Sequence, residues 1–554
     1  MQAAVLQVDP RDNVLIALTD LKRGQQIEYA GKSYTLVSNV PARHKFAIED
    51  LAVGHPVRMY GILVGKAVKP IPKGEQLEPS NVAPAAAAFN GQSSHRPSGE
   101  YHWVAPDVSR WRASTFAGYR RSDGQVGTRN YWLVVPLVFC ENRNIAVLKQ
   151  AFEEELGYAP SQVHRRQVAE LARLYREGSA SEVEHQLLTQ GLANAAAPRL
   201  FENVDGIRFL LHQSGCGGTR EDSRNLCGLI AGYINHPNVA GATVLSLGCQ
   251  HAQIGILREQ LNQRNPRFDK PLILLEQQRS ASEFSMLSEA VRRTFLGLVE
   301  ANQARREPAR LSYLRLGLKC GGSDGFSGIS ANPAIGHTAD LLVALGGSAI
   351  LSEFPELGGV EQDVVNRSTR KEVSERFVAL MRDYQSRASA VGSEFEAHAS
   401  SSNIRDGLLT NAMRSAGAAR KGGRSPISAV LDYPEYITEA GLNLQCTPAK
   451  DAECVTAQAG AGANIVLFTT GLGASTGNPI APVVKISSHS DLAERMSDII
   501  DVDAGKILVG ETSVEQLGEE ILDEVIRIAS GEVKTKSERN GQADFSPWKR
   551  GVSL

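Results

Sequence analysis

The chain has 554 residues, 42% hydrophobic and 22% charged, an ordinary globular composition that excludes disordered and fibrous architectures; at roughly 150 residues per domain it predicts three or four compact units. Fifty-nine Lys and Arg against 61 Asp and Glu leave a formal net charge of -2, so no global positive field exists to hold nucleic acid or an acidic membrane surface. Seven cysteines without a Cys-x-x-Cys pair argue against a disulfide framework or zinc ribbon, and the absence of a basic leader and of any long apolar run predicts a soluble, cytoplasmic protein with no membrane partner.

From Met1 to Val82, short alternating apolar stretches (Val14 to Leu18, Gln26 to Tyr29, Ser33 to Val37, Val57 to Tyr60) are broken by Gly, Pro and Asp turns. This is the pattern of a small β-rich domain over residues 1–82. Residues 83–112, with an alanine run and turn formers around Asn90 and Pro97, have little to bury and read as a linker. Beyond Phe116, strand-length apolar runs alternate with helical segments, which predicts a parallel-sheet α/β region of two subdomains, 113–310 and 311–554, the second ending in a helical extension. The strand candidates are Trp132 to Phe139, Ile207 to Leu211, Thr243 to Leu247, Pro271 to Leu275, Leu314 to Leu318, Ala349 to Leu351 and Asn464 to Phe468. Pro136 predicts that the first is an edge strand or ends early. Gln150 to Ala195 reads as a polar surface helical hairpin. Ser280 with Glu283 predicts a capping box, and Phe284, Leu287, Val291, Phe295 and Leu298 predict one buried apolar stripe on the adjoining helix.

The chemistry is expected in the turns at the strand ends. Phe139 leads into Cys140-Glu141-Asn142, Leu211 into His212 and Cys216, and Leu247 into Gly248-Cys249 and His251. Leu318 leads into Lys319-Cys320 and Ser323-Asp324, Leu351 into Ser352-Glu353, and Phe468 into Thr469 and the Gly471-Leu472-Gly473 turn. Open α/β sheets bind ligands outside their carboxyl ends, so these turns are expected on one rim, the predicted active site. A single Cys after a strand is most often a small buried hydrophobe; four at equivalent places point to a shared site. Cys227 lies inside an amphipathic helix and reads as packing, and Cys446 and Cys454 have no such setting. His212 and His251 read as base, ligand or cap, and Glu353 and Glu356 as ion ligands or helix-terminal charges. Pro479 and Pro482 stand where a phosphate-binding helix would run, so the Gly471 turn is expected near a carboxylate rather than a dinucleotide. Arg414, Arg420, Lys421 and Arg424 read either as a carboxylate clamp or as a solvated loop. The chain has no Walker A motif, no Gly-x-Ser-x-Gly and no His-Glu-x-x-His, which removes support from the common nucleotide and hydrolase readings.

Lys319 to Gly336 resembles the galactarate and altronate dehydratase family. The likeness covers nearly the whole chain: Arg43-His44-Lys45, Tyr60 to Gly74, Gly118 to Asn130, His212 to Gly217, Leu247-Gly248-Cys249, Ser352 to Glu356 and Phe468 to Gly473 also fit. The end, Asp503 to Ile507 and Gly510 to Gly518, is closer to the galactarate branch. The resemblance implies an SAF-type (β-clip) domain at the N-terminus and a hydro-lyase that turns a sugar acid into a 2-keto-3-deoxy acid. It also implies a divalent metal, iron(II) foremost, with manganese, magnesium and calcium as alternatives. A proton α to a carboxylate is weakly acidic, so such an enzyme needs a cation on the enediolate, a base for the proton and an acid for the departing hydroxyl. The implied acid–base groups are His44, His212 and Lys45. Arg129, Asn130, Ser323, Asp324, Asn332 and Asn403 are the implied grips on substrate oxygens, and His44, Glu353, Cys216, Cys249 and Cys320 the implied metal ligands. Ala399 to Gly407 departs from the family pattern, Pro-Ser-Pro-Gly-Asn-Lys, keeping one Ser and Asn403. The expected partner is a small sugar acid, and a homo-oligomer is the prior. A sulfolactate sulfo-lyase, which expels sulfite by the same α-proton logic, and a non-catalytic sugar-acid-binding homologue are the alternatives.

Overall fold

The computed structural model describes residues 4–85, 101–159, 163–178, 183–184, 188, 198–393 and 404–553. The N-terminal part is built of eight short strands: β1 (Val5–Leu6), β2 (Val14–Ala17), β3 (Gln26–Tyr29), β4 (Lys32–Thr35), β5 (Lys45–Ala47), β6 (Pro56–Met59), β7 (Ile62–Ala67) and β8 (Val82–Pro84). They form the antiparallel sets β1-β2-β5, β3-β4 and β6-β7-β8. Alternation along β2 decides how this part is used. Leu15 and Ala17 face a small core with Ile27, Tyr34, Leu36 and Phe46, while Val14 and Ile16 turn the other way and join Val57, Met59 and Val64 in the core of the C-terminal half. At roughly 1.5–3 kcal/mol per buried aliphatic side chain, that second face holds the β domain on the α/β region. The segment predicted as a linker has residues 86–100 outside the described residues, and at its far end Trp111 is buried.

Two parallel sheets come next in the chain. β9 (Thr115–Arg120) and β10 (Val126–Gly127) form a small antiparallel sheet with β15 (Arg306–Arg310). The four-stranded sheet has the order β12-β11-β13-β14, from β11 (Tyr131–Pro136), β12 (Gly206–Phe209), β13 (Val239–Ser246) and β14 (Leu272–Glu276). Both faces of β11 are buried, as a covered parallel strand requires. Trp132 and Val134 pack with Ile145, Met286 and Leu298, and Leu133 and Val135 pack under the helix Arg220–Asn235. Pro136 is the last residue of β11, but the strand lies between two neighbours rather than at an edge. The β13 side stays paired through Pro136 and Leu245, with Leu137 N donating to Leu245 O, so the missing N–H falls on the β12 side, where the register ends at Val134 and Phe209. The seven-stranded sheet runs β18-β19-β17-β16-β20-β21-β22, made of β16 (Arg315–Cys320), β17 (Ser348–Leu351), β18 (Ile427–Leu431), β19 (Gly441–Gln445), β20 (Ile465–Thr470), β21 (Val483–Ser487) and β22 (Val502–Asp503).

Two expectations are corrected. The capping box of the helix Glu283–Ala301 is made by Ser282 with Ser285, two residues beyond the expected pair. The carboxyl-end turns lie on two sheets, so they form two rims rather than one. Among the described residues no helix is long and apolar enough to cross a membrane.

Candidate active site

Each parallel sheet has a switch point, where connections leave a central strand in opposite directions and open a crevice at the carboxyl ends. In the larger sheet this strand is β16, with β17 on one side and β20 on the other. Lys319 and Cys320 end β16, and Glu353 and Glu356 come after β17. All four are buried. Glu353 receives both Lys319 Nζ and Lys421 Nζ, and Glu356 receives Arg414. Lys421 Nζ also lies 2.8 Å from Cys320 Sγ, whose thiol donates to Glu356 Oε2 at 3.2 Å. Lys319 reaches Asp451 at 3.0 Å. Burial pushes the Cys320 thiol up to about 12, reinforced by Glu356. For Glu356, burial is outweighed by Lys421 and Arg414, and its carboxyl is held at about 2. Burial pulls on Lys421 too, yet its anionic neighbours keep it above the ordinary lysine value. Glu353 takes up a left-handed backbone, φ 71°, a strain of order 1–3 kcal/mol for a residue with a Cβ, of the kind found at functional sites.

Cys320, Glu353 and Glu356 each place one ligand atom within 4.8 Å of the others, a donor set compatible with a metal. The charges do not fit a further cation. Lys319, Lys421 and Arg414 already balance Glu353, Glu356 and Asp451 around a protonated thiol, and a divalent ion would have to displace two ammonium groups from a dry site.

The second constellation is where the β domain meets the same rim. Arg43 has a left-handed backbone, φ 74°, and its side chain reaches three groups of the C-terminal half: Asp406 at 3.1 Å, Asp324 at 3.6 Å and His489 Nε2 at 3.3 Å. Lys45 is wholly buried and donates to Arg43 O at 2.8 Å and Gly407 O at 2.6 Å. Burial lowers its pKa to about 7, opposed by the charge of Asp324. The Asp324 carboxylate is also buried; Oδ1 accepts from Ser327 and Ser488, whereas Oδ2 has no hydrogen-bond partner. A Cβ on Gly471 would stand 2.4 Å from Asp324 Cγ, so the glycine turn after β20 packs against a carboxylate, but its N–H groups donate to Gly322 O and Thr470 Oγ1 rather than to that carboxylate. His44 is half-buried, with Nδ1 3.2 Å from Ala42 O. Desolvation lowers its pKa, which keeps the imidazole neutral near pH 7, with Nε2 as the lone-pair nitrogen in the Nδ1–H tautomer.

The remaining expected residues divide by position. Ser323 is half-buried on the loop leaving β16. Asn332 lies on the same side, but Oδ1 accepts from Thr469 at 2.6 Å and Nδ2 donates to Gly417 O at 3.0 Å, so it cross-links three elements. Asn403 lies outside the described residues. Arg129 and Asn130 are corrected as substrate grips. They precede β11 and sit at the amino end of its sheet, a strand length of roughly 20 Å from the carboxyl rim. Arg129 is spent on Glu538, Thr128 O and Ile528 O, and Asn130 on Arg121, Asn203 O and Ala301 O. His212 is corrected as a base. Nε2 lies 2.7 Å from Pro136 O and Nδ1 accepts from Ser214 N at 3.2 Å, which uses both nitrogens on backbone, and burial lowers its pKa to about 4. His44, Cys216 and Cys249 do not join Cys320 and Glu353 in one ligand group among the described residues; both cysteines are exposed on the smaller sheet's rim. The expectation had no place for His489 or for the role of Lys319. His489 comes after the apolar run of β21, a signal of the same strand-then-polar kind. The basic stretch is resolved half each way: Arg414 and Lys421 clamp carboxylates, but the chain's own. Arg420 and Arg424, with Arg11, Tyr60, His337 and Arg367, line a cleft of about 740 Å³ between the β domain and the C-terminal half.

The fold and site define a class: an α/β enzyme in which a small β domain closes against the carboxyl rim of a parallel sheet. Three family descriptions match in succession: the Altronate/galactarate dehydratase SAF domain at residues 3–85, the D-galactarate dehydratase/Altronate hydrolase second domain at 118–302, and the D-galactarate/Altronate dehydratase C-terminal domain at 311–553. The chain is 30% identical to the altronate dehydratase of Escherichia coli over 553 residues, 99% of both chains, and 30% identical to that of Bacillus subtilis over 550 residues, again 99% of both. It is 28% identical to the galactarate dehydratase (L-threo-forming) of Escherichia coli over 556 residues, 98% of this chain and 97% of that one. The chain belongs to the galactarate and altronate dehydratase family, and its class is that of the carbon–oxygen lyases that dehydrate sugar acids.

Proposed function

We propose that this protein removes water from an aldarate or aldonate of the galactarate or altronate kind and releases the 2-keto-3-deoxy acid. The observation that carries the reading is the delivery of Arg43 and Lys45 by the β domain to the rim that holds Asp324 and His489, with His44 between them in the chain. His44, neutral near pH 7, takes the proton from C2, and the electron pair delocalises into the carboxylate as an enediolate. The C3 hydroxyl takes a proton back from the His44 imidazolium and departs as water, and the enol then tautomerises to the ketone. Arg43 and Lys45 supply positive charge beside the developing anion, where a dry setting makes it count. The divalent ion that the resemblance implies, iron(II) foremost, would supply Lewis acidity if bound, but Cys320, Glu353 and Glu356, already neutralised by Lys319, Lys421 and Arg414, are not its holders. The arginines of the cleft beside Tyr60 suit an acid substrate.

The test is an anaerobic incubation of the protein with iron(II) and a panel of aldarates, aldonates and sulfolactate, scored for 2-keto-3-deoxy acid or for pyruvate plus sulfite. One sugar acid is expected to turn over, with His44→Ala slowing kcat by about 10²–10⁴. Sulfite from sulfolactate, or no product from any acid, would replace this reading with one of its alternatives.

A further inference from the structure

We propose that Cys140, Cys216 and Cys249 form a three-thiolate site for a four-iron, four-sulfide cluster at the switch point of the smaller parallel sheet. These cysteines come after β11, β12 and β13, which are neighbours in the order β12-β11-β13. The connection from β11 runs to β12 on one side and the connection from β12 crosses to β13 on the other, so the crevice expected at a switch point opens at the carboxyl end of β11. All three thiols are exposed, whereas Cys227, Cys320, Cys446 and Cys454 are buried. Free cysteine is by habit a buried residue, and three exposed ones on adjoining strands call for an explanation other than packing.

The loops that carry them are tied to one another. Phe139 N donates to Ser214 O at 3.0 Å, and Ala252 N donates to Gly215 O at 3.1 Å, so the Cys216 loop touches the Cys140 and Cys249 loops in turn. His212 pins the Cys216 loop to the end of β11 through Pro136 O and Ser214 N, and Asn142 Nδ2 donates to His212 O at 2.8 Å. Gly215, at φ 105°, lies so close to β11 that a Cβ would meet Leu137 O at 2.2 Å. Gln250 is buried and folds the Cys249 turn onto itself, accepting from Gly248 N at 2.6 Å and donating to Ser246 Oγ at 2.6 Å. Beside Cys140, Glu141 is buried with Oε1 unpartnered. This is a positioned rim, and His212 is one of its positioning residues.

Spacing selects the ligand. Strands lie about 4.8 Å apart, and the three sulfurs do not gather within 4.8 Å of one another among the described residues; a single ion needs its donors closer than three adjoining strands bring them. A cluster carries its irons outward to separate thiolates, and soft sulfur suits iron. Phe139 and Leu211, exposed by 41% and 43%, give the site an apolar border. Three thiolates, each having released its proton to solvent, would ligate three irons and leave the fourth for an oxygen ligand such as water; the existence of the site does not depend on the dehydratase reading.

The test uses the full chain, incubated anaerobically with iron, sulfide and dithiothreitol and then desalted. About four irons and four acid-labile sulfides per chain are expected, with broad thiolate-to-iron absorption in the visible. Cys140→Ser, Cys216→Ser and Cys249→Ser are each expected to lower the iron and sulfide content at least several-fold, while Cys227→Ser, also a thiol of that domain, retains it. Circular dichroism of every variant separates loss of the site from loss of the fold. Failure of the wild type to take up sulfide, or full uptake by the three rim variants, overturns the site. A complete cluster with no dehydration of any acid overturns the function and leaves the site. Turnover by protein holding no cluster does the reverse.

Discussion

Lys45 donates to two backbone carbonyls, with Asp324 as the nearby charge, and burial places its folded pKa at about 7 against the ordinary 10.5. Between those values the unfolded chain binds more protons than the folded one, so this group makes stability rise with pH across the window and costs most below pH 7. Each unit is worth about 1.4 kcal/mol. Denaturant unfolding at two pH values, two units apart within that window, should show a wild-type rise larger than that of Lys45→Met by about 2–3 kcal/mol; equal slopes would refute the burial argument. His212 illustrates the other side of reading single residues. A histidine beside glycines after a strand is visible in the sequence, but whether its nitrogens meet substrate or backbone depends on Pro136, 76 positions away.

At the scale of elements, the helix Glu283–Ala301 shows how a correct period can carry a wrong phase. The expected stripe puts Phe284, Val291 and Phe295 inside, yet they are exposed by 81%, 40% and 38%. The buried face is Met286, Ala290, Thr294, Gly297, Leu298 and Ala301. The reason is Trp132: a Cβ on Gly297 would stand 2.0 Å from its ring, so a large indole on the sheet selects small residues on the helix and the large ones turn outward. Phe284→Ser should change the unfolding free energy by no more than about 0.5 kcal/mol, whereas Met286→Ala should cost about 2–5 kcal/mol. The reverse ranking in denaturant melts would restore the expected phase.

For the whole molecule, the C-terminal segment holds the parts together. Glu538 makes a two-point pair with buried Arg129 at 2.9 and 3.1 Å, Phe545 sits edge-on to Tyr233, and Trp548 stacks on Tyr384. Removing one partner of a buried pair leaves an uncompensated charge, at about 3–5 kcal/mol. Glu538→Gln should therefore lower the unfolding midpoint and speed proteolytic clipping within residues 535–553, and an unchanged digest would argue against the strap. This explains why Arg129 read as a site residue: its neighbours in sequence are motif-like, but its partner lies 409 positions away. By itself the sequence determined the β domain ahead of an α/β region, the strand-then-polar turns, and the family, because alternation, periodicity and long motifs are local properties of the chain. Tertiary structure alone decided that the turns split between two rims, that Lys319 and Lys421 take the carboxylates expected to hold a metal, and that Arg43 and Lys45 meet Asp324 and His489 at one junction. Strand order and charge neutralisation are set by contacts between residues dozens to more than a hundred positions apart, and no local pattern encodes them.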